Sequence, residues 1–262
     1  MDRARLKTII ILILALVNLF LLGAIGWRAS EERSARERTL LELTARFAQD
    51  QIALTARLPE RLPPAGQTLV RGADRERALA ESLLGECTPE DLGGGIYRYS
   101  SAAGQGTFRS SGSFEVTGTL GSGDAEDFCR KLCREFGYQD FSPALEEGEY
   151  TALYYHDSLP VVNAAISFRI SDGVLTAVRG TLLPQLSAGE EPSSMTAVTA
   201  LTRFLEDCRA TGEVVSAVTD IALCYELQNT ASSPMTLAPA WHITADTGDF
   251  FVSCATGKVT HI

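Results

Sequence analysis

The chain has 262 residues, of which 45% are hydrophobic and 21% charged, with a formal net charge of −10. This is the composition of a folded protein, and its length allows one large domain or two small ones. Residues 1–38 carry seven basic and four acidic residues, so the rest holds −13, which argues against nucleic acid or an anionic lipid surface as partner.

The first predicted element is a membrane helix. Thr8 to Trp27 contains no charge and follows Arg3, Arg5 and Lys7. At 1.5 Å per residue, about twenty helical residues cross a hydrocarbon core of roughly 30 Å. The run is longer than the roughly 7–15 residues of a signal-peptide core, and Ala24-Ile25-Gly26 is a weak cleavage match. Residues 1–27 therefore read as a tail and retained single-pass anchor, with Trp27 and Arg28 at the interface. Basic residues flank the run on both sides. The short tail is expected to stay cytoplasmic and the C-terminal domain to lie outside the cytoplasm.

Residues 28–64 read as a juxtamembrane helix and linker. Leu40, Leu43 and Phe47 stand at helical spacing, and Pro59, Pro63 and Pro64 end regular structure. The helix reads equally as a signal-carrying element or as a solvated stalk. A first α+β lobe is expected over 65–188 and a second over 189–262. The first opens with a short helix from Asp74, as N-cap, to Leu84, and then strand-like runs at Ile96–Tyr99, Thr107–Arg109 and Phe114–Leu120.

A shift of 75 residues aligns Cys133-Arg134 and Gly137 with Cys208-Arg209 and Gly212, Tyr150 with Tyr225, and Gly173 with Gly248. Each copy opens with a helix, Asp124–Phe136 and Ser194–Ala210, that stops at a glycine suited to a left-handed cap. Strands follow at Tyr150–Tyr155, Val161–Ile170 and Val174–Leu183, and again at Ile221–Leu227, Ala240–Ala245 and Phe250–Cys254. Turns fall at Asp172-Gly173 and Asp246–Asp249. One helix on a small antiparallel sheet, used in tandem, is an α+β architecture. Leu186–Pro192 reads as the linker between copies.

The six cysteines lack zinc-site spacing and read as buried free thiols, with Cys224–Cys254 the bridge to expect if one forms. No metal, cofactor or catalytic site is expected. His156-Asp157-Ser158 holds triad residue types, but three consecutive residues cannot form the relay. Gly118-Thr-Leu-Gly121-Ser-Gly123 precedes Asp124, Glu126 and Asp127, which would repel phosphate. Glu146, Glu147 and Glu149 read as a solvated acidic loop, and Trp241 as core.

The opening Met1-Asp2, the basic cluster, Lys7-Thr8-Ile9-Ile10 and Asn18-Leu19-Phe20-Leu21-Leu22 resemble the N-terminus of YycI-type regulatory proteins of Gram-positive bacteria. Pro239-Ala240-Trp241 through Phe250-Phe251-Val252 to Thr256-Gly257-Lys258-Val259 resembles that family's ending, and PepSY-like modules generally. The resemblance implies a non-enzymatic protein that contacts a sensor histidine kinase through its membrane helix, alongside a YycH-like sister protein. It places the partner-binding residues at Asn18, Leu19, Phe20, Leu21 and Leu22. Asn18 either hydrogen-bonds a partner helix or is satisfied by water or its own backbone. The alternative function is a PepSY-like module that binds or inhibits an extracellular protease or wall hydrolase.

Overall fold

Helical residues 38–49 form α1, which turns Leu43 and Phe47 inward and leaves Leu41 in solvent. The computed structural model describes residues 16–21, 23, 27, 38–183, 185–230 and 233–261. After α1 come the short β1 (Ala53–Leu54) and β2 (Ala65–Val70). A helix followed by a four-stranded antiparallel meander then occurs three times.

Unit 1 comprises α2 (Ala73–Leu84), β3 (Thr88–Gly93), β4 (Ile96–Ser100), β5 (Gly104–Arg109) and β6 (Ser113–Leu120). Unit 2 comprises α3 (Ala125–Phe136), β7 (Tyr138–Pro143), β8 (Glu149–His156), β9 (Leu159–Ser171) and β10 (Val174–Thr181). Then β11 (Gln185–Pro192) leads into unit 3: α4 (Ala197–Thr211), β12 (Ala217–Thr230), β13 (Ser233–Ala245), β14 (Gly248–Ser253) and β15 (Val259–His261). All the described strands join one sheet, whose main path runs β11-β2-β13-β12-β9-β10-β6-β5-β4-β3.

The helix ends follow from local chemistry. Asp124 accepts the Asp127 N–H at 2.9 Å, and Thr196 accepts that of Thr199 at 3.2 Å, each satisfying an otherwise orphaned donor of the first turn. Gly137 and Gly212 adopt the left-handed conformation at the equivalent C-caps, and their N–H groups return to Cys133 and Cys208 carbonyls. At α2, however, Gly72 is the N-cap rather than Asp74, with no side-chain cap bond, and Asp74 lies in the first turn.

Strand faces divide cleanly. In β6, Phe114 and Val116 point inward while Glu115 and Thr117 face solvent. The helices cover the inner face, α2 against β5 and β6, α3 against β7, and α4 against β13–β15. On the outer face, strand register lines up Glu90, Arg98, Thr107, Glu115, Arg179, Ser167 and Thr151 in one row across seven strands. Such a polar row suits an antiparallel sheet with one wet face. The edge strand β3 is exposed throughout and carries Pro89, Glu90 and Asp91, which discourage pairing with another chain.

Two expectations change. Within the 65–188 segment the helix and strands expected at 74–84, 96–99, 107–109 and 114–120 are α2, β4, β5 and β6 of unit 1, while β3 went unread because Thr-Pro-Glu-Asp-Leu-Gly has no apolar alternation. Leu186–Pro192 is not an open linker but most of β11, paired with β2. A Cys224–Cys254 bridge is excluded by register. Cys224 pairs with Ala240, and Cys254 bonds the far edge of the same strand through Pro239, so two strand spacings, roughly 10 Å, separate them. All six thiols are free.

Candidate partner-binding segment and inter-unit seam

Asn18, Leu19, Phe20 and Leu21 are helical and exposed, whereas Leu22 and much of the expected anchor lie outside the described residues. Leu19, Phe20 and Trp27 are each more than 70% exposed. Apolar side chains so displayed lose the gain of burial unless lipid or another helix covers them. Among the described residues, no helix is long and apolar enough to cross a membrane.

The chain following this segment is fastened to unit 3. The Phe47 ring stacks on Phe204 of α4 at 6.5 Å between centroids, and Phe204 meets Phe250 of β14 edge-on at 4.9 Å. Arg209, near the end of α4, grips the Asp50 carboxylate at 3.0 Å through Nε and 2.6 Å through a terminal nitrogen. The Ala53 N–H donates to Ser216, β1 pairs in parallel with Ala217 and Val218, and both the N–H and the hydroxyl of Thr55 donate to the Val218 carbonyl. Aromatic packing, a bidentate ion pair and strand pairing thus converge on residues 47–55. The helix expected as a signal-carrying element or a stalk is packed on unit 3 over this stretch.

Two junctions connect the units, and they differ. Units 1 and 2 meet along β6 and β10, an antiparallel ladder running from Ser113–Thr181 to Leu120–Leu175. Units 2 and 3 meet along β9 and β12, where the parallel register holds the single pair Val161–Tyr225. Asn163 reinforces it, donating to and accepting from the Leu227 backbone at 2.7 Å each. Beside this seam the His156 ring lies 5.5 Å from that of Tyr225. Among the described residues, the buried Tyr225 hydroxyl and His156 Nε2 have no hydrogen-bond partner, though Asp157 Oδ2 stands 3.3 Å from Nε2. Burial pushes the Tyr225 phenol up, and the nearby Asp157 carboxylate adds to it.

The other sequence motifs resolve into structural roles. His156, Asp157 and Ser158 sit at the β8–β9 turn, where Asp157 and Ser158 take positive φ. Gly118 faces Gly104 across the β5–β6 pair, and a Cβ on either would come within 2.1 Å of a facing carbonyl oxygen, so these glycines serve strand approach. In the acidic loop, Arg169 bonds both Glu146 and Glu149. Trp241 is fully buried and donates to the Met195 carbonyl.

Two features escaped the sequence reading. Arg71 binds Glu76 through two hydrogen bonds, 2.9 and 2.7 Å, and lies 3.3 Å over the Tyr97 ring, which raises the guanidinium pKa through the Glu76 bond. The spacing Arg71 to Glu76 across a helix start was the available signal. Separately, where β13 passes from pairing β2 at Thr236 and Leu237 to pairing β14 at Ala240, a groove of about 580 Å³ opens, lined by Gln67, Ser193, Gln228 and Pro239 among others.

No family model matches the chain, and no curated protein matches it. Solved structures similar to it include an uncharacterised protein from Eubacterium rectale, at 10% identity and a TM-score of 0.49, covering 77% of this chain and 86% of that one. The Bacillus megaterium YpeB C-terminal domain is similar at 11% identity and a TM-score of 0.39, covering 74% and 99%. YycH from Bacillus subtilis is similar at 12% identity and a TM-score of 0.41, and the match covers 74% of this chain but only 54% of that one. Likeness this distant carries no argument about family or activity. The protein's own architecture is a mixed α+β fold built on one large sheet.

Proposed function

We propose that this protein is a non-enzymatic, single-pass regulator that holds its α+β domain outside the cytoplasm and modulates a sensor histidine kinase governing cell-wall metabolism. The YycI-like N-terminal and C-terminal motifs supply the partner class, and a YycH-like sister protein belongs to the same proposal. The observation that carries the reading is the N-terminal segment: an uncharged run from Thr8 to Trp27 behind three basic residues, with Leu16, Val17, Leu19 and Phe20 turned outward. In this reading the segment both anchors the protein and meets the kinase, with Asn18 offering an amide to a facing helix.

Co-purification from native membranes tests it, comparing the intact chain with one whose residues 8–27 are replaced by an unrelated membrane helix. Recovery of a histidine kinase with the first and its loss with the second is the expected result. Absence of the kinase from both, with an extracellular hydrolase following the folded domain, would instead establish a PepSY-like inhibitory module.

A further inference from the structure

A segment ahead of all three units belongs physically to the last of them. Residues 47–55 reach unit 3 through the Phe47–Phe204 stack, the Asp50–Arg209 ion pair and β1–β12 pairing. Unit 3 meets unit 2 over a common core through one parallel register pair and the two Asn163–Leu227 hydrogen bonds, whereas units 1 and 2 share an extended ladder. A body held by a short parallel junction on one side, and by packing, charge and backbone pairing on the other, moves with the second.

We propose that α1, β1 and unit 3 form one mechanical body, and that the Asp50–Arg209 clip transmits the position of α1 to α4. The regulatory meaning of the clip rests on the partner reading given above, but its mechanics do not. A displacement of α1 loads α4 directly, because Asp50 follows α1 by one residue and Arg209 lies in the last turn of α4.

The repeat supplies a matched control. Arg134, at the position equivalent to Arg209, bonds the Arg130 carbonyl of its own helix instead of an N-terminal carboxylate. The full chain is tested in native membranes as the parent, R209E, D50R/R209E and R134E. Amide exchange over residues 43–50 is read together with autophosphorylation of the co-purifying kinase. R209E is expected to speed exchange about two- to fivefold, the range open to an exposed ion pair, and to alter kinase output. The double reversal should restore both, and R134E should leave both near parent levels. Faster exchange in R209E with unaltered output would overturn the coupling while leaving the partner reading intact. Unaltered exchange would overturn the clip itself. If the residue 8–27 replacement also leaves output unaltered, the partner reading fails separately, and exchange alone decides the mechanical body.

Discussion

Arg71 and Glu76 give the sharpest test of how unit 1 is held together. The Glu76 side chain is only 10% exposed and takes both hydrogen bonds from Arg71, whose own side chain is 30% exposed and packed on Tyr97. Replacing Arg71 with Met leaves a buried carboxylate without its cation, a change that costs 3–5 kcal/mol at fully buried pairs. Because Arg71 reaches solvent, the lower end applies, about 3 kcal/mol. Replacing Glu76 with Met instead leaves a guanidinium that can recover water, and the expected loss is about 1 kcal/mol. With both replaced by Met, no charge is stranded, and the loss should stay near 1 kcal/mol. The cycle therefore closes with a coupling of about 3 kcal/mol. Urea unfolding of the four purified full-length proteins measures it, provided the m-values agree. Losses that simply add, or equal losses for the two single replacements, would refute the argument that burial asymmetry sets the cost.

Replacing Gly104 or Gly118 with Ala should each cost at least about 2 kcal/mol, read by the unfolding midpoint, because the new Cβ meets a backbone oxygen that cannot move aside. A variant as stable as the parent would contradict the close β5–β6 approach. Burial pushes the thiols of Cys129, Cys133, Cys224 and Cys254 up to about 12 and that of Cys208 to about 11, so a thiol reagent at pH 8 should label the half-buried Cys87 first. Rapid labelling of all six in the native protein would refute it. Asp246 accepts backbone N–H groups of Ala217 and Ser216, which lowers its pKa in the folded state. Its contribution is thus complete above the unfolded value near 4 and is lost as pH falls through the lower folded value, so Asp246→Asn should flatten the acid limb of a stability–pH curve.

The features legible in the sequence were those written in local chemistry. Asp124, Gly137 and Gly212 revealed helix ends because capping is decided within one turn. The 75-residue offset revealed units 2 and 3 through Cys133-Arg134 and Cys208-Arg209. Even there tertiary detail intervened. Asp172-Gly173 forms one hairpin turn with positive φ at both residues, whereas the equivalent turn is Asp246-Thr247, one place earlier than the Gly173–Gly248 match implies. β3 and β11 escaped because edge strands need backbone partners, not an apolar face. The role of Phe47 was half visible. Its helical spacing marked a buried face, but nothing local said that the face belongs to α4. Of the proposed partner segment, Asn18 through Leu21 are helical and exposed, and the apolar character of Leu19 to Leu21 was already plain in the hydropathy.

The placement of α1 on unit 3 also constrains how the protein is made. Asp50 and Arg209 are 159 residues apart in the chain. At translation rates of about 5–20 residues per second, α1 emerges roughly 8–30 s before its binding site exists. Units 1 and 2 have strand partners of their own and can close during that interval, while Phe47 waits for the Phe204 ring it stacks on. The final assembly step therefore joins the beginning of the folded domain to its end, a high-contact-order event that comes last and slowly. Any chain cut short before α4 leaves the apolar stripe of α1 uncovered, a ready recognition signal for chaperones and proteases that distinguishes unfinished from finished molecules.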